Sequence, residues 1–215
     1  DVVSTFPALL KLKQLYGSIS IICQSNIGQL AHELNIVDQW FPLEAAAFAT
    51  LYSGQIDAIV KNILLSYPNI ILVSRSRSLE KTLFSISENE VYRIPPRPEL
   101  GHKIHVNQHI LSNLVKCRIL KDSGKDSCIT LPLSVFTDRR IPEYDPSKIM
   151  IHPGSGSRKK CWPISNFVNV ASSMDANDKL PEFILGPAEY DLYDILMQSK
   201  RINANVHKIE TLTEL

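Results

Sequence analysis

The predicted fold of this chain rests first on one stretch, KIMIHPGSGSRKKCWP (148–163). A short β-rich run, 149–152, leads into the turn PGSGS (153–157), which three cations follow before an apolar helical run begins near 162. Glycine lets a backbone come close to a ligand. Amides of such a turn attract negative charge, and lysine or arginine neutralises phosphate oxygens. The stretch therefore predicts an anion site, most economically for a diphosphate; a plain strand–helix connection is the alternative interpretation.

Composition limits the class of protein. The chain has 215 residues, enough for one large domain or two small ones. Its formal net charge of +1 provides no global field that would recruit nucleic acid or anionic lipid. No apolar run reaches the ~18 residues that a transmembrane helix needs. The four cysteines have no CxxC spacing, which favours reduced thiols in a cytoplasmic protein.

Strand-like and helix-like segments alternate along the chain. The runs SISIIC (18–23) and NIILVS (69–74) are short, apolar and β-branched, as buried strands are. Residues 54–66 and 102–115 have the apolar spacing of helices, and the proline-rich run 94–98 is predicted to be a loop. This alternation predicts an α/β fold of parallel sheets with crossover helices.

Residues 131–147 interrupt the alternation. They carry three prolines and several charges, which is typical of a linker. We therefore predict an N-terminal Rossmann-like lobe over 1–130 and a second unit of the same kind over 148–215, with the two lobes facing a cleft.

Three motifs resemble the ADP-heptose:lipopolysaccharide heptosyltransferases, glycosyltransferase family nine. DVVSTFPALL (1–10) resembles the segment that opens the first helix of that family's N-terminal lobe. HPGSGSRKKCWPISNF (152–167) is similar to the opening of the C-terminal lobe, and LGPAE (185–189) is similar to a strand–glycine–proline–acid turn. The motifs follow the family's order across nearly the whole chain.

The resemblance implies a GT-B-like fold, with the acceptor on the N-terminal lobe, the donor on the C-terminal lobe and no essential metal. It implies a glycosyltransferase that moves a sugar, heptose in this family, from a nucleotide diphosphate donor such as ADP-heptose to a lipopolysaccharide core acceptor, with inversion. No cofactor beyond the donor is expected. The protein would work in the cytoplasm, in peripheral contact with the inner membrane face.

Asp1 aligns with the aspartate that is proposed as general base in the family. In that role it would deprotonate the acceptor hydroxyl. An aspartate before an apolar helical run is also a favoured helix N-cap, so both interpretations stay open.

The resemblance places the donor in the second lobe. Lys160 matches the family lysine that contacts the donor phosphates, and such groups would offset the charge of the leaving diphosphate in place of a metal. Glu189 would accept hydrogen bonds from the nucleotide ribose, or be an ordinary first-turn carboxylate favoured by the helix dipole. The turn residues that would supply amides, hydroxyls and tight backbone geometry are Gly154, Ser155, Gly156 and Ser157.

Other polar and aromatic residues have simpler interpretations. Arg158 and Lys159 are interpreted as solvated charges, and Trp162 as a packing residue between helix and sheet. Arg75 and Arg77 follow a predicted buried strand, where they would bind an acidic acceptor or be exposed loop cations.

Three histidines on the predicted helix 102–115 could share one face: His102, His105 and His109. No HExxH glutamate or nearby cysteine supports a zinc site there, so we predict no metal.

The resemblance also implies that the chain is truncated at both ends. The family's first strand would precede Asp1, and its Asn-Asp-Ser-Gly-Pro-x-His donor motif would follow Leu215. An alternative function is a non-catalytic nucleotide- or sugar-binding module with a degenerate glycosyltransferase fold. An NAD-dependent Rossmann enzyme is disfavoured because GxGxxG is absent.

Overall fold

A computed structural model describes residues 2–86, 90–121, 145–175 and 177–214. The chain divides into two compact units, Asp1–Asp138 and Arg139–Leu215. The predicted linker, 131–147, lies outside the described residues up to position 144, so its bounds and the roles of the two lobes stay predictions.

Short strands and helices alternate in both units. The strands are β1 Ser20–Cys23, β2 Gln39–Pro42, β3 Asn69–Val73, β4 Glu90–Ile94, β5 Lys148–Ile151, β6 Leu180–Leu185 and β7 Asn205–Lys208. The helices are α1 Phe6–Tyr16, α2 Ser25–Glu33, α3 Ala46–Ala49, α4 Ala58–Leu65, α5 Arg77–Ile86, α6 Val106–Lys116, α7 Ile164–Asp175 and α8 Tyr193–Met197.

All strand pairs in the described part of the chain are parallel. In the first unit β1 pairs with β2 and β3 pairs with β4, as two separate two-stranded sheets. Side chains of both pairs still meet in one apolar cluster, to which Leu72 and Ile22 belong. Parallel pairing requires crossover connections, and α2 and α5 supply them between paired strands.

Asp38 ties the first elements of this unit together. Its carboxylate accepts a hydrogen bond from the Ile19 amide at 2.9 Å and forms an ion pair with Lys13 of α1 at 2.9 Å. The Ile19 hydrogen bond, followed by that of Lys13, holds the pKa of Asp38 below its ordinary value. The start of β1 is thereby linked to α1 and to the segment just before β2.

Gly28 of α2 lies directly against the Trp40 ring of β2. A β-carbon at position 28 would be 2.8 Å from Trp40 Cε3 and 2.9 Å from Cδ2. A glycine-to-alanine change inside a helix normally stabilises it by about 0.5–1 kcal/mol. Here the methyl group would overpack the helix–strand contact, which costs about 1–3 kcal/mol.

We therefore expect Gly28→Ala to lower the free energy of unfolding by about 1–2 kcal/mol, the balance of overpacking against helix propensity. Urea unfolding followed by circular dichroism measures this change. In a Trp40→Leu background the same substitution should become neutral or stabilising, because the ring is gone. If the Gly28→Ala protein is as stable as the parent, α2 and the Trp40 ring can move apart without a cost in stability.

The second unit contains one three-stranded sheet in the order β5-β6-β7. The register places Ile151 of β5 opposite Phe183 of β6. Helix α7 crosses between β5 and β6, and a 3₁₀ turn, Pro187–Leu192, followed by α8 crosses between β6 and β7. The core beneath the sheet consists of Val168, Ala171, Phe183, Leu185 and Leu196.

Several element boundaries differ from the sequence-based expectations. Strand β4 (Glu90–Ile94) was not predicted, because it carries a glutamate and an arginine and runs into the proline-rich loop. Helix α6 starts only at Val106, since the His105 side chain accepts a hydrogen bond from the Asn107 amide at 3.2 Å and caps the helix. Helix α4 starts at Ala58, because the Asp57 carboxylate caps it.

In the described ranges no helix is both long and apolar enough to cross a membrane.

Candidate functional site

Two loops of the second unit leave the same edge of its sheet. Because β5 and β6 are parallel neighbours, the loop after Ile151 and the loop after Leu185 both emerge at their carboxyl ends. Ligands of open α/β sheets bind outside this edge. The first loop contains the PGSGS turn, and the second contains Glu189, so the fold places two predicted parts of the site on adjacent loops.

The Glu189 carboxylate lies against the backbone of Gly154. A β-carbon at position 154 would be 2.4 Å from Glu189 Cδ and 2.4 Å from Oε1, whereas one at Gly186 would be 3.2 Å from Oε2. Two glycines from the two loops therefore leave the space that the carboxylate fills. Within the described residues no hydrogen-bond donor or cation is paired with this carboxylate, so it is available to a ligand.

His152 is a further polar group at this point, and the sequence interpretation did not single it out. Its Nδ1–H donates to the Ile184 carbonyl at 3.0 Å, since a carbonyl only accepts. The other nitrogen, Nε2, would be 2.8 Å from a β-carbon at Gly154. The available signal was its position at the end of a predicted strand, the edge where ligands bind.

The turn itself presents backbone amides. Ser155 and Gly156 are exposed, and Ser157 is half-buried. Among the residues that the structure describes, none accepts a hydrogen bond from these three amides. Unpaired amides on successive residues suit a ligand with several acceptor oxygens, such as a diphosphate.

Lys160 ends a short 3₁₀ turn, Arg158–Lys160, that follows the amide turn. Lys159 and Lys160 are both exposed, and neither has an ion-pair partner in the described part of the chain. Arg158 differs, because it pairs with Asp191 of the second loop at 3.2 Å. Both of these side chains are exposed, and such surface pairs contribute little stability.

Tyr190 and Lys208 fix the loop that carries Glu189. The Tyr190 hydroxyl donates to the Ile209 carbonyl at 3.0 Å, and burial raises the pKa of this tyrosine. The Lys208 ammonium lies 3.8 Å from the centre of the Tyr193 ring, a cation–π distance. These contacts hold the loop to the end of β7.

Helix α7 begins at Ile164, close to the predicted start near 162, after the three cations and a short connection. Trp162 is placed differently from the prediction. Its side chain is 52% exposed and packs edge-on against Phe167 of α7, with 5.3 Å between ring centres, rather than between helix and sheet.

Arg75 and Arg77 lie at the corresponding edge of the first unit, where β3 ends at Val73. Both side chains are exposed and have no partner among the described residues. The Ser76 hydroxyl between them accepts a hydrogen bond from the Leu79 amide at 3.3 Å and caps α5. A cation at the first residue of a helix is opposed by the helix dipole, so helix stability does not explain Arg77.

The three histidines do not share a helix face. His102 precedes α6, His105 caps it, and His109 Nε2 is bonded to the Pro95 carbonyl at 2.9 Å. Over the described ranges no three histidine, cysteine or carboxylate side chains are grouped as metal ligands. Asp1 lies outside the described residues, and both interpretations of it stay predictions.

Comparison with known proteins finds similar solved structures. No protein-family model and no curated protein sequence matches the chain. A glycosyl transferase family 9 structure from Veillonella parvula DSM 2008 matches 96% of this chain and 66% of its own length, with a TM-score of 0.66 and 14% identity.

The E. coli heptosyltransferase WaaC is a second similar structure. Solved with ADP-2-deoxy-2-fluoro heptose, it matches 99% of this chain and 74% of its own length, with a TM-score of 0.69 and 12% identity. Solved with ADP, it has a TM-score of 0.68 and 11% identity, and the match covers 99% of this chain and 73% of that protein. The chain thus spans about two thirds to three quarters of these proteins.

These similarities confirm the predicted α/β, GT-B-like fold and, at the level of the fold, the resemblance to heptosyltransferases. The small three-stranded sheet of the second unit agrees with the prediction that only part of the second lobe is present.

Proposed function

We propose that this chain belongs to a glycosyltransferase that transfers a sugar from a nucleotide diphosphate donor to a lipopolysaccharide core acceptor. The proposed donor is ADP-heptose, as the motifs at 1–10 and 152–167 imply. The reaction would take place in the cytoplasm, at the inner membrane face.

The observation that carries the proposal is the position of Glu189. Its unpaired carboxylate fills the space above Gly154, beside a turn whose amides are free within the described residues. A carboxylate accepts hydrogen bonds from hydroxyls, whereas amides donate to phosphate oxygens. A nucleoside diphosphate offers both groups side by side, which matches this arrangement.

The chemical roles follow from the charges. Lys160 and the amides of Ser155, Gly156 and Ser157 stabilise the negative charge that develops on the departing diphosphate. Stabilisation of this kind is usually the largest single contribution to catalysis. Asp1 takes the proton of the acceptor hydroxyl as general base. No metal is required in this scheme, because fixed donors and a lysine neutralise the leaving group.

Arg75 and Arg77 are proposed to bind the acceptor. Their guanidinium groups are exposed at the carboxyl edge of β3 and unpaired among the described residues. Arginine binds carboxylates and phosphates in bidentate fashion, and a lipopolysaccharide core acceptor carries both groups.

Calorimetry of the full-length gene product with ADP, ADP-heptose, UDP and GDP tests the proposal. We expect a single site that prefers ADP and ADP-heptose, since an adenine nucleotide is the donor that the resemblance implies. Adenosine should bind at least tenfold more weakly, because it has no phosphates for the amides and the lysine to bind. Failure of every nucleoside diphosphate to bind would refute a donor site at 152–160.

A transfer assay distinguishes the proposed enzyme from the alternative function, a non-catalytic binding module. With ADP-heptose and a lipid A–Kdo acceptor, the proposed enzyme releases ADP and lengthens the acceptor by one sugar. Donor binding without ADP release, under conditions in which WaaC is active, would identify a non-catalytic nucleotide-binding module instead.

A further inference from the structure

We propose that His152 binds the ribose of the nucleotide together with Glu189, so that the two side chains select a cis-diol. This inference rests on the proposed function, because it assigns a ribose to one end of the same donor site. The sequence motifs and the resemblance assign no role to His152.

The tautomer of His152 follows from the hydrogen bond of its Nδ1 nitrogen. Nδ1 bears a proton, because its partner is the Ile184 carbonyl at 3.0 Å. In the neutral ring Nε2 therefore carries a lone pair and accepts hydrogen bonds. The residue is exposed, and Nε2 has no hydrogen-bond partner among the described residues. A strand carbonyl thus orients the ring and leaves one acceptor at the edge of the sheet.

Two acceptors lie beside the same glycine. A β-carbon at Gly154 would be 2.8 Å from His152 Nε2 and 2.4 Å from Glu189 Oε1, so both side chains lie against this backbone position. No ion pair or hydrogen bond joins the two side chains, and no donor from the described residues is shared between them. A phosphate, which offers only acceptor oxygens, would be repelled by the carboxylate at this point. A ligand with two adjacent hydroxyl donors satisfies both groups.

The ribose of a nucleoside diphosphate is such a ligand. Its 2′- and 3′-hydroxyls are neighbours, and each can donate one hydrogen bond. With the ribose at Gly154, the diphosphate is left to the amides that follow in the turn and to Lys160. The order of groups along the chain, acceptors at 152 and donors from 155 onward, thus matches the order of groups in the nucleotide.

Deoxynucleotide binding tests the inference. We expect the parent protein to bind ADP more tightly than 2′-deoxy-ADP or 3′-deoxy-ADP, by about threefold to tenfold for each hydroxyl that is absent. His152→Asn keeps an amide donor near the Ile184 carbonyl but removes Nε2. We expect it to weaken ADP binding by a similar factor and to abolish the discrimination at one of the two hydroxyls.

Two further variants complete the design. His152→Phe removes both ring nitrogens and should match His152→Asn in its preference among the three nucleotides. His207→Asn is the matched control, because His207 lies on β7 and pairs with Glu182 at 3.4 Å. Its nucleotide affinities should stay within twofold of the parent. Thermal unfolding of each variant confirms that the fold is kept.

The outcomes separate this inference from the proposed function. If ADP binds but His152→Asn retains the parent affinities and preferences, His152 only holds the turn in place and the inference is wrong. If ADP, UDP and GDP all fail to bind the parent, the proposed function fails as well. Equal weakening for all three nucleotides in His152→Asn would also overturn the cis-diol role, because no hydroxyl would then be recognised by Nε2.

Discussion

Gly154→Ala is expected to lower the affinity for ADP by about tenfold to a hundredfold while leaving the stability of the fold nearly unchanged. The new methyl group would take the space of the Glu189 carboxylate, whose Cδ and Oε1 lie 2.4 Å from its position. Removal of a hydrogen bond to a charged group costs about 1.5–3 kcal/mol. Isothermal titration calorimetry measures the affinity, and urea unfolding measures the stability.

The free energy of unfolding of Gly154→Ala should stay close to that of the parent, because the displaced atoms belong to flexible or exposed side chains. Glu189 rotates away by its own torsions, and the exposed ring of His152, 2.8 Å from the same position, must yield by a few tenths of an ångström. The φ angle of Gly154 is not in the left-handed region, so alanine is tolerated there by the backbone. Alanine also reduces the freedom of the unfolded chain, which stabilises by about 0.4–1 kcal/mol at a compatible position.

A double-mutant cycle identifies the cause of the weaker binding. If Gly154→Ala acts mainly by displacing Glu189, it should cost clearly less affinity in a Glu189→Ala background, where only the smaller shift of His152 remains. Gly186→Ala should weaken ADP binding less than Gly154→Ala. Its β-carbon would be 3.2 Å from Glu189 Oε2, so the carboxylate needs to move by a smaller distance. Additive effects in the cycle would contradict the displacement, and would show that the methyl group obstructs the nucleotide directly.

Lys160→Ala is expected to weaken ADP binding by about tenfold to a hundredfold without changing the affinity for adenosine. Lys160 would contact the phosphates alone, and a charge-assisted hydrogen bond of this kind contributes about 1.5–3 kcal/mol. The turnover number should fall as well, because the charge on the diphosphate grows as the glycosidic bond breaks. Calorimetry with ADP and adenosine, and the rate of ADP release, measure these effects.

Lys159→Ala is the matched control. Lys159 is adjacent, also exposed and likewise unpaired within the described residues. As a lysine, its replacement by alanine changes the net charge by the same amount. A solvated lysine should change ADP affinity by less than about threefold, as screened surface charges do. Equal weakening in the two variants would indicate a general electrostatic effect, and an equal weakening for adenosine would remove Lys160 from the phosphate site.

Local sequence patterns predicted those strands and helices whose secondary structure is determined by their own residues. The runs at 18–23 and 69–74 became β1 and β3, because short apolar β-branched segments are stable only when buried in a sheet. The same reasoning missed β4, whose charged residues are tolerated because they lie at an exposed edge of a two-stranded sheet. It also extended α6 back to 102, since a histidine is an unusual helix N-cap.

The sequence suggested the parts of the candidate site but not how they come together. The glycine–serine turn and Lys160 were predicted as a phosphate site because small residues and cations near a strand end are typical of such sites. Trp162 was misplaced, because an apolar side chain gives no indication of which neighbour covers it; here it packs on Phe167 and stays 52% exposed.

The sequence alone determined the alternation of strands and helices, the turn without bulky side chains and the cations that follow it. Each of these features depends only on the residues of one short stretch of chain. Only the tertiary structure decided that Glu189 and His152 meet at Gly154. His152 and Ile184, its hydrogen-bond partner, are 32 positions apart, and the parallel pairing of β5 with β6 brings their carboxyl ends together. Contacts between loops depend on that register, which the local pattern of neither loop contains.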